Sequence, residues 1–245
     1  MYRRALGRLL SSHTVMADIS ALRVNYETKD TLNIENLPTT DPLQLFSQWF
    51  EDARSCNSIL EPNAMTIATA DKNGYPSARM VLLKGFDSTG FQFYTNYSSY
   101  KGSQLAENPR AALLFYWEPL HRQVRIEGTV ERLSATTSDE YFASRPHASQ
   151  LGTASSQQST PIRCREVLME KYSELEQLYP SGQKSVPRPV NWGGFLIVPH
   201  AIEFWQGQSN RLHQRIQFKK DVQDEVDKSF VKTGSTGWFY YLLSS

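Results

Sequence analysis

Pro76-Ser77-Ala78-Arg79-Met80-Val81-Leu82-Leu83-Lys84-Gly85 places two fixed cations in a segment that otherwise reads as buried strand. In an extended chain Val81 and Leu83 point to one face and Met80 and Leu82 to the other, so both faces are apolar. That predicts a strand inside a closed or covered sheet. Arg79 and Lys84 then project to opposite faces, roughly 17 Å apart at about 3.3 Å per residue. One phosphate does not easily touch both. The spacing suits a long anionic ligand or two ligands stacked in one cavity, with Arg as a forked grip and Lys as a point charge. The bland alternative is that both cations end a strand and snorkel into water.

The flanks extend the strand pattern. Residues 64–70 form a short apolar run, and Asp71-Lys72-Asn73-Gly74 is a turn that folds it onto the opening stretch as a hairpin. Phe91, Phe93 and Thr95 alternate with Gln92 and Tyr94, a helix is expected at 99–107, and the unbroken apolar run 111–117 predicts a fully buried strand. Residues 122–128 alternate again. Five strands on short turns predict an antiparallel barrel and exclude a parallel α/β sheet. Upstream, Asp41-Pro42 reads as a cap and first turn, and Leu45, Phe46, Trp49, Phe50 and Ala53 recur at helical spacing as far as Cys56. Residues 17–40 read as a polar surface wrap. Downstream, a helix at 134–145 puts Tyr141 and Arg145 on one face, which Ser149 extends if Pro146 opens a second turn. A phenol, a guanidinium and a hydroxyl so placed make an oxyanion grip, although a cation over an aromatic ring is the commoner meaning. A loop at 154–160, a helix at 161–179 and a linker at 181–189 follow. Trp192-Gly193-Gly194-Phe195 restarts the strands. In 211–215, Arg211, His213 and Arg215 alternate, so an extended segment lines all three on one face, where they repel unless an anion sits between them. With Trp205 close in sequence, a planar anionic ligand is the natural occupant.

Composition bounds the function. The chain has 245 residues, 40% hydrophobic content and a net charge of +1. That suits one substantial core and shows neither a nucleic-acid nor a membrane signature. Cys56 and Cys164 lack CxxC spacing, and the five histidines lack HxH or HExxH, so neither a disulfide frame nor a metal site is expected. There is no GxGxxG and no P-loop. Residues 1–15, with Arg3, Arg4 and Arg8 and no acid before Asp18, read as a mitochondrial presequence or a basic arm. Met16 can serve as a second start that gives a cytosolic form, so the expected location is cytoplasmic, with a mitochondrial form open through the basic N-terminus.

Several motifs together, Arg79-Met80-Val81-Leu82-Leu83-Lys84, Tyr94-Thr95-Asn96, Phe115-Tyr116-Trp117, Arg122-Gln123-Val124-Arg125, Ser144-Arg145-Pro146, Ser149-Gln150, Gln157-Gln158-Ser159, Trp205-Gln206-Gly207 and Asn210-Arg211-Leu212-His213, resemble the pyridoxamine/pyridoxine 5'-phosphate oxidases. The resemblance spans about 37–238. It implies a mainly β (α+β) FMN-binding split barrel with flanking helices that works as a homodimer, with flavin sites at the subunit interface. It divides the chain into an arm at 1–40, a barrel at 41–180 and C-terminal strands at 181–245 that complete barrel and interface. By motif, Arg79, Met80, Val81, Leu82, Tyr94, Thr95, Tyr100, Lys101, Gln123, Gln158, Ser159, Trp205 and Arg215 would bind FMN. Lys84, Tyr141, Arg145, Ser149, Arg211, Leu212 and His213 would bind substrate, with Arg211 and His213 beside the reacting carbon. Arg23 and Tyr26 resemble lid residues. The implied activity is oxidation of pyridoxamine or pyridoxine 5'-phosphate by O2 to pyridoxal 5'-phosphate and H2O2. A pyridoxal 5'-phosphate carrier and another split-barrel reductase are the alternatives. The sequence departs from the family at Tyr100, where Arg is usual, and at 242–245, where Leu242 stands in place of an arginine.

Overall fold

The computed structural model describes Leu22, Tyr26 and residues 32–222 and 226–245; Arg23 and the basic segment 1–15 lie outside the described residues. Helix α1 (Pro42–Ser55) begins as expected. Asp41 Oδ1 accepts from the Leu43 and Gln44 amides at 2.8 and 3.4 Å, and Pro42 occupies the first turn, where its missing N–H costs nothing. Its apolar stripe, Leu45, Phe46, Trp49 and Ala53, is buried. Strands β1 (Ala64–Ala70) and β2 (Pro76–Leu82) form the expected hairpin, with Asp71 Oδ1 bonding the Asn73 and Tyr75 amides and Gly74 at φ +85°. The chain continues through β3 (Gly85–Asp87), β4 (Gly90–Asn96), α2 (Tyr100–Glu107), β5 (Arg110–Trp117) and β6 (Arg122–Arg132). Helices α3 (Ala135–Ser144), α4 (His147–Ser155) and α5 (Glu166–Leu178) precede β7 (Trp192–Gln206), β8 (Gln214–Lys219), β9 (Lys232–Thr233) and β10 (Phe239–Leu242).

The strands form one antiparallel sheet in the order β2-β1-β5-β6-β7-β8-β10-β9, with β4 joining through β7 and carrying β3 on its other side. Strand β7 is the hub. One edge pairs with β6; the other serves β4 along 192–197 and then β8 along 201–206. The change of partner coincides with a register shift at Glu127/Gly128 and with Pro199, which has no amide to give a ladder. The sheet splits there. Gly128 is required at the crossing, because a Cβ would collide with the Val198 carbonyl oxygen. Helix α1 fills the space between the halves. Phe46 lies 4.9 Å from Phe91 and 5.2 Å from Phe115 between ring centroids, and Trp49 lies 5.1 Å from Phe204.

Three expectations need correction. The opening stretch is not interior: β2 pairs only with β1 in the sheet order, at an open edge, and Met80 is 63% exposed. Its second apolar face is therefore open to a partner surface. Strand β5 alternates, with Leu113 and Phe115 buried and Tyr116 51% exposed, because only one side of the sheet meets the core. Helix α5 starts at Glu166 instead of 161, with Arg165 at its N-cap position and no side-chain cap bond.

Gly128→Ala should lower stability by about 1–3 kcal/mol, since the obstacle is backbone that cannot rotate away. Urea unfolding monitored by Trp fluorescence measures it; an unchanged midpoint would show that the crossing has slack.

Candidate active site

Where the opening edge, the end of β4, the start of α2 and the α3–α4 elbow meet, they enclose a cleft of about 710 Å³. Each wall has a local cause. Ser99 caps α2 by accepting from the Gly102 amide at 3.3 Å, which aims the first turn of the helix at the cleft and sets Lys101 inside it. Lys101 is 7% exposed, and among the described residues its ammonium has only neutral partners: Thr95 Oγ1 at 3.2 Å, Ser99 Oγ at 3.4 Å and Gln158 Oε1 at 3.0 Å. Arg79 lies behind it. Its Nη1 donates to Thr69 Oγ1 at 2.6 Å and its Nη2 to Ser77 Oγ at 2.5 Å. Gln104 from α2 braces both acceptors by accepting from Thr69 and Ser77 at 2.5 and 2.7 Å. Neither cation has a carboxylate partner among the described residues. Burial, and then the nearby Arg79 charge, lower the Lys101 pKa to about 8; burial likewise lowers that of Arg79, with Tyr100 opposing. A buried ammonium beside a half-buried guanidinium, with no acid among the described residues, is costly unless an anion joins them, so the donor set fits a phosphate.

The second wall gathers another set of hydroxyl and cationic side chains. Arg145 caps α3 in an extended conformation and Pro146 turns the chain into α4, so the two helices form an elbow that brings Tyr141, Arg145 and Ser149 to one cleft. They do not share a continuous helical face. Arg145 is held by Thr153 Oγ1 at 2.8 Å and by the face of Trp192 at 4.9 Å. Tyr94 and Tyr141 stack at 3.9 Å beside it. Lys84 completes the set, its side chain exposed and without a bond among the described residues. Met80, Val81, Leu82, Tyr94, Thr95 and Gln158 also line the cleft.

The remaining candidates lie elsewhere on the chain. Gln123, Trp205 and Arg215 sit opposite one another across β6, β7 and β8 and so share a face. Ser159, at φ 71°, and Tyr100, 56% exposed, flank the cleft residues Gln158 and Lys101 without lining it. Arg211, His213 and Arg215 do not line one extended face. Arg211 is in a turn at φ 66°, and β8 starts only at Gln214. Arg215 already has an anion: its Nε donates to Glu203 at 2.8 Å. The Gln208 amide donates to His213 Nδ1 at 3.0 Å, so a neutral His213 carries its proton on Nε2. Leu212 is 67% exposed. Tyr26 packs against this second cluster, 4.4 Å from His121, 5.9 Å from His213 and 6.0 Å from Trp205.

Asn96, Thr153, Ser156 and Trp192 line the cleft without having been given a binding role from the sequence. Trp192 had a usable signal in the two glycines after it. Gly193 leaves room for Tyr97, and Gly194 for Leu133 and Tyr94, which seats the tryptophan against the tyrosine stack. Thr153 had none.

A family model described as pyridoxamine 5'-phosphate oxidase matches residues 54–179, and one described as pyridoxine 5'-phosphate oxidase C-terminal dimerisation region matches 192–245. The chain belongs to the pyridoxamine 5'-phosphate oxidase family. The pyridoxine/pyridoxamine 5'-phosphate oxidase of Bombyx mori is 48% identical, covering 93% of this chain and 89% of that protein. The pyridoxine-5'-phosphate oxidase of Bos taurus is 46% identical, covering 98% and 92%. Among solved structures, PhzG of Burkholderia lata in complex with tetrahydrophenazine-1-carboxylic acid superposes with a TM-score of 0.77 at 27% identity, covering 89% of this chain and 99% of that one. A pyridoxamine 5'-phosphate oxidase-related, FMN-binding protein of Nostoc punctiforme has a TM-score of 0.62 at 16% identity, over 84% and 98% of the two chains, and so shares the fold. The architecture is thus the antiparallel split barrel expected from the resemblance, with its sheet left open. No helix among the described residues is long and apolar enough to cross a membrane.

The depressed Lys101 pKa fixes a pH dependence for the oxidase-family cleft. Folded Lys101 titrates near pH 8 and the unfolded group near 10.5, so between these values the unfolded chain holds more protons and stability rises with pH. Below about pH 8 the penalty is fully present. Ligand-free Lys101→Met should therefore melt a few degrees higher than wild type at pH 7, with the gap closing towards pH 10. Thermal scans across that range check it; a gap independent of pH would mean the ammonium is not strained.

Proposed function

We propose that this protein oxidises pyridoxamine 5'-phosphate and pyridoxine 5'-phosphate to pyridoxal 5'-phosphate with O2, releasing H2O2, and ammonia from the amine, as a step of vitamin B6 salvage. FMN is its cofactor. The observation that carries this reading is the presence of two anion grips in one cleft, Lys101 backed by Arg79 on one wall and Lys84, Tyr141, Arg145 and Ser149 on the other. A substrate phosphate and a cofactor phosphate give each grip an occupant. FMN, when bound, supplies a two-electron acceptor that O2 can reoxidise.

In this reading, Arg79, Lys101, Thr95 and Gln158 hold the FMN phosphate, with Tyr94, Tyr100, Ser159 and the 80–82 backbone beside it. Lys84, Tyr141, Arg145 and Ser149 anchor the substrate phosphate, and that remote binding energy orients the reacting carbon. Gln123, Trp205, Arg211, Leu212, His213 and Arg215 do not line the cleft of their own chain. They are assigned to the partner's cleft in a homodimer. The proposed interface is the outer sheet face, where Met80, Thr66, Leu114 and Arg125 lie in one cross-strand row and Met80 and Tyr116 are exposed. Segment 41–180 then supplies most of the cleft, and segment 181–245 supplies Trp192 to it as well as the covering strands. Arg211 would lie over the substrate ring and His213 would donate from Nε2; Tyr26 would close the site.

The deciding experiment is to purify the protein, record flavin absorbance, and follow aldehyde and peroxide production from pyridoxamine 5'-phosphate. Equimolar aldehyde and peroxide are expected. Tight ligand binding without peroxide would favour the carrier instead. Arg211→Leu should keep its flavin yet lose about tenfold or more in turnover, the scale of one lost charged contact. Unchanged turnover in the flavin-loaded variant would remove Arg211 from the reaction.

A further inference from the structure

Glu203 is 3% exposed, yet it lies on the sheet face that carries Gln123, Trp205 and Arg215. A carboxylate is expensive to bury there without charged partners, and it has two. Arg125 Nη2 donates to Oε2 at 2.7 Å and Arg215 Nε donates to Oε1 at 2.8 Å. The two arginines are not equivalent. Arg125 has a second acid, Glu127, at 3.2 Å, whereas Arg215 has none other than Glu203 among the described residues. Arg215 Nη1 is also committed, to the Ser244 carbonyl at 2.8 Å, which leaves Nη2 without a bond among the described residues. A guanidinium pinned through Nε and Nη1 has its plane fixed, so its free nitrogen points in one direction. Trp205 is its direct cross-strand neighbour.

We propose that Glu203 is a positioning residue: it holds Arg215 so that Nη2 donates to an acceptor oxygen of the planar ring bound beside Trp205. This rests on the reading above, in which that ring is the flavin of the partner's cleft. The carboxylate does not touch the ring and acts only through the guanidinium. Arg125 balances the charge of Glu203 from the far side and takes no part in the contact.

The test is a double-mutant cycle on the full-length protein, with flavin affinity read from fluorescence quenching and melting temperature read in parallel. Glu203→Gln keeps shape and removes charge, and should weaken FMN binding by about tenfold or more, the loss of one charge-assisted bond. In an Arg215→Met background the same change should alter affinity by less than about twofold, because the residue through which it acts is gone. Glu127→Gln removes the other acid of Arg125 and leaves both Glu203 contacts in place, so it should leave affinity near wild type whatever it does to melting. Equal losses in both backgrounds, or a Glu127→Gln loss as large as that of Glu203→Gln, would overturn the proposal and leave Glu203 a structural ion pair. A wild-type protein that takes up no FMN would overturn the cofactor assignment and this inference with it, whereas additivity in a flavin-binding protein overturns the inference alone.

Discussion

A buried ammonium with no acid beside it among the described residues is the constraint around which the cleft is built. Lys101 is held by two hydroxyls and an amide oxygen, with Arg79 close enough to depress its pKa further. Neutral oxygens orient a cation without neutralising it, so the site keeps its positive charge. The chain bears this strain at one place and fastens it from three elements: β4 through Thr95, the α2 cap through Ser99, and the segment after α4 through Gln158. Gln104 extends the bracing to the Thr69 and Ser77 oxygens that hold Arg79.

The sheet supplies the rigid reference for that arrangement. Strand β7 pairs with β4 near its start and with β8 near its end, so the cleft at Trp192 and the aromatic and basic cluster at Trp205 are carried on one strand. Residues 192 and 205 are thirteen positions apart along it, about 43 Å at strand rise before twist and the bulge shorten the span. Both clusters are positioned by one hub, yet they are too far apart to serve one ligand. A second chain is the economical way to bring complementary halves together, and the outer sheet face, where Met80 and Tyr116 are exposed, gives it a place to sit. This is the physical content of the proposed dimer.

Charge is handled differently at the two clusters. The cleft leaves cations uncompensated, which favours an anionic occupant. The β6–β8 face instead pairs Arg215 and Arg125 with Glu203, the pairing on which the proposed role of Arg215 as a directed donor rests. The alternation of Arg211, His213 and Arg215 suggested three like charges awaiting one anion, and the chain had its own carboxylate ready for one of them. Glu203 was visible in the sequence, but nothing local marked it as buried, because its partners come from neighbouring strands.

The sequence by itself determined the helix start at Asp41-Pro42, the hairpin turn at Gly74, the antiparallel strands, and the residue types of both anion grips, since caps, turns and alternation are encoded within a few residues. The family motifs named most cleft residues for the same reason: they are short and contiguous. Tertiary structure alone decided that the Arg79 strand is an edge, that Pro146 bends Tyr141, Arg145 and Ser149 into one cleft from two helices, and that Thr153 and Trp192 hold Arg145. It also separated Arg211 and His213 from the cleft of their own chain. Those outcomes depend on pairing between residues tens of positions apart, where the free energy comes from burial and cross-strand contact and leaves no local pattern to read.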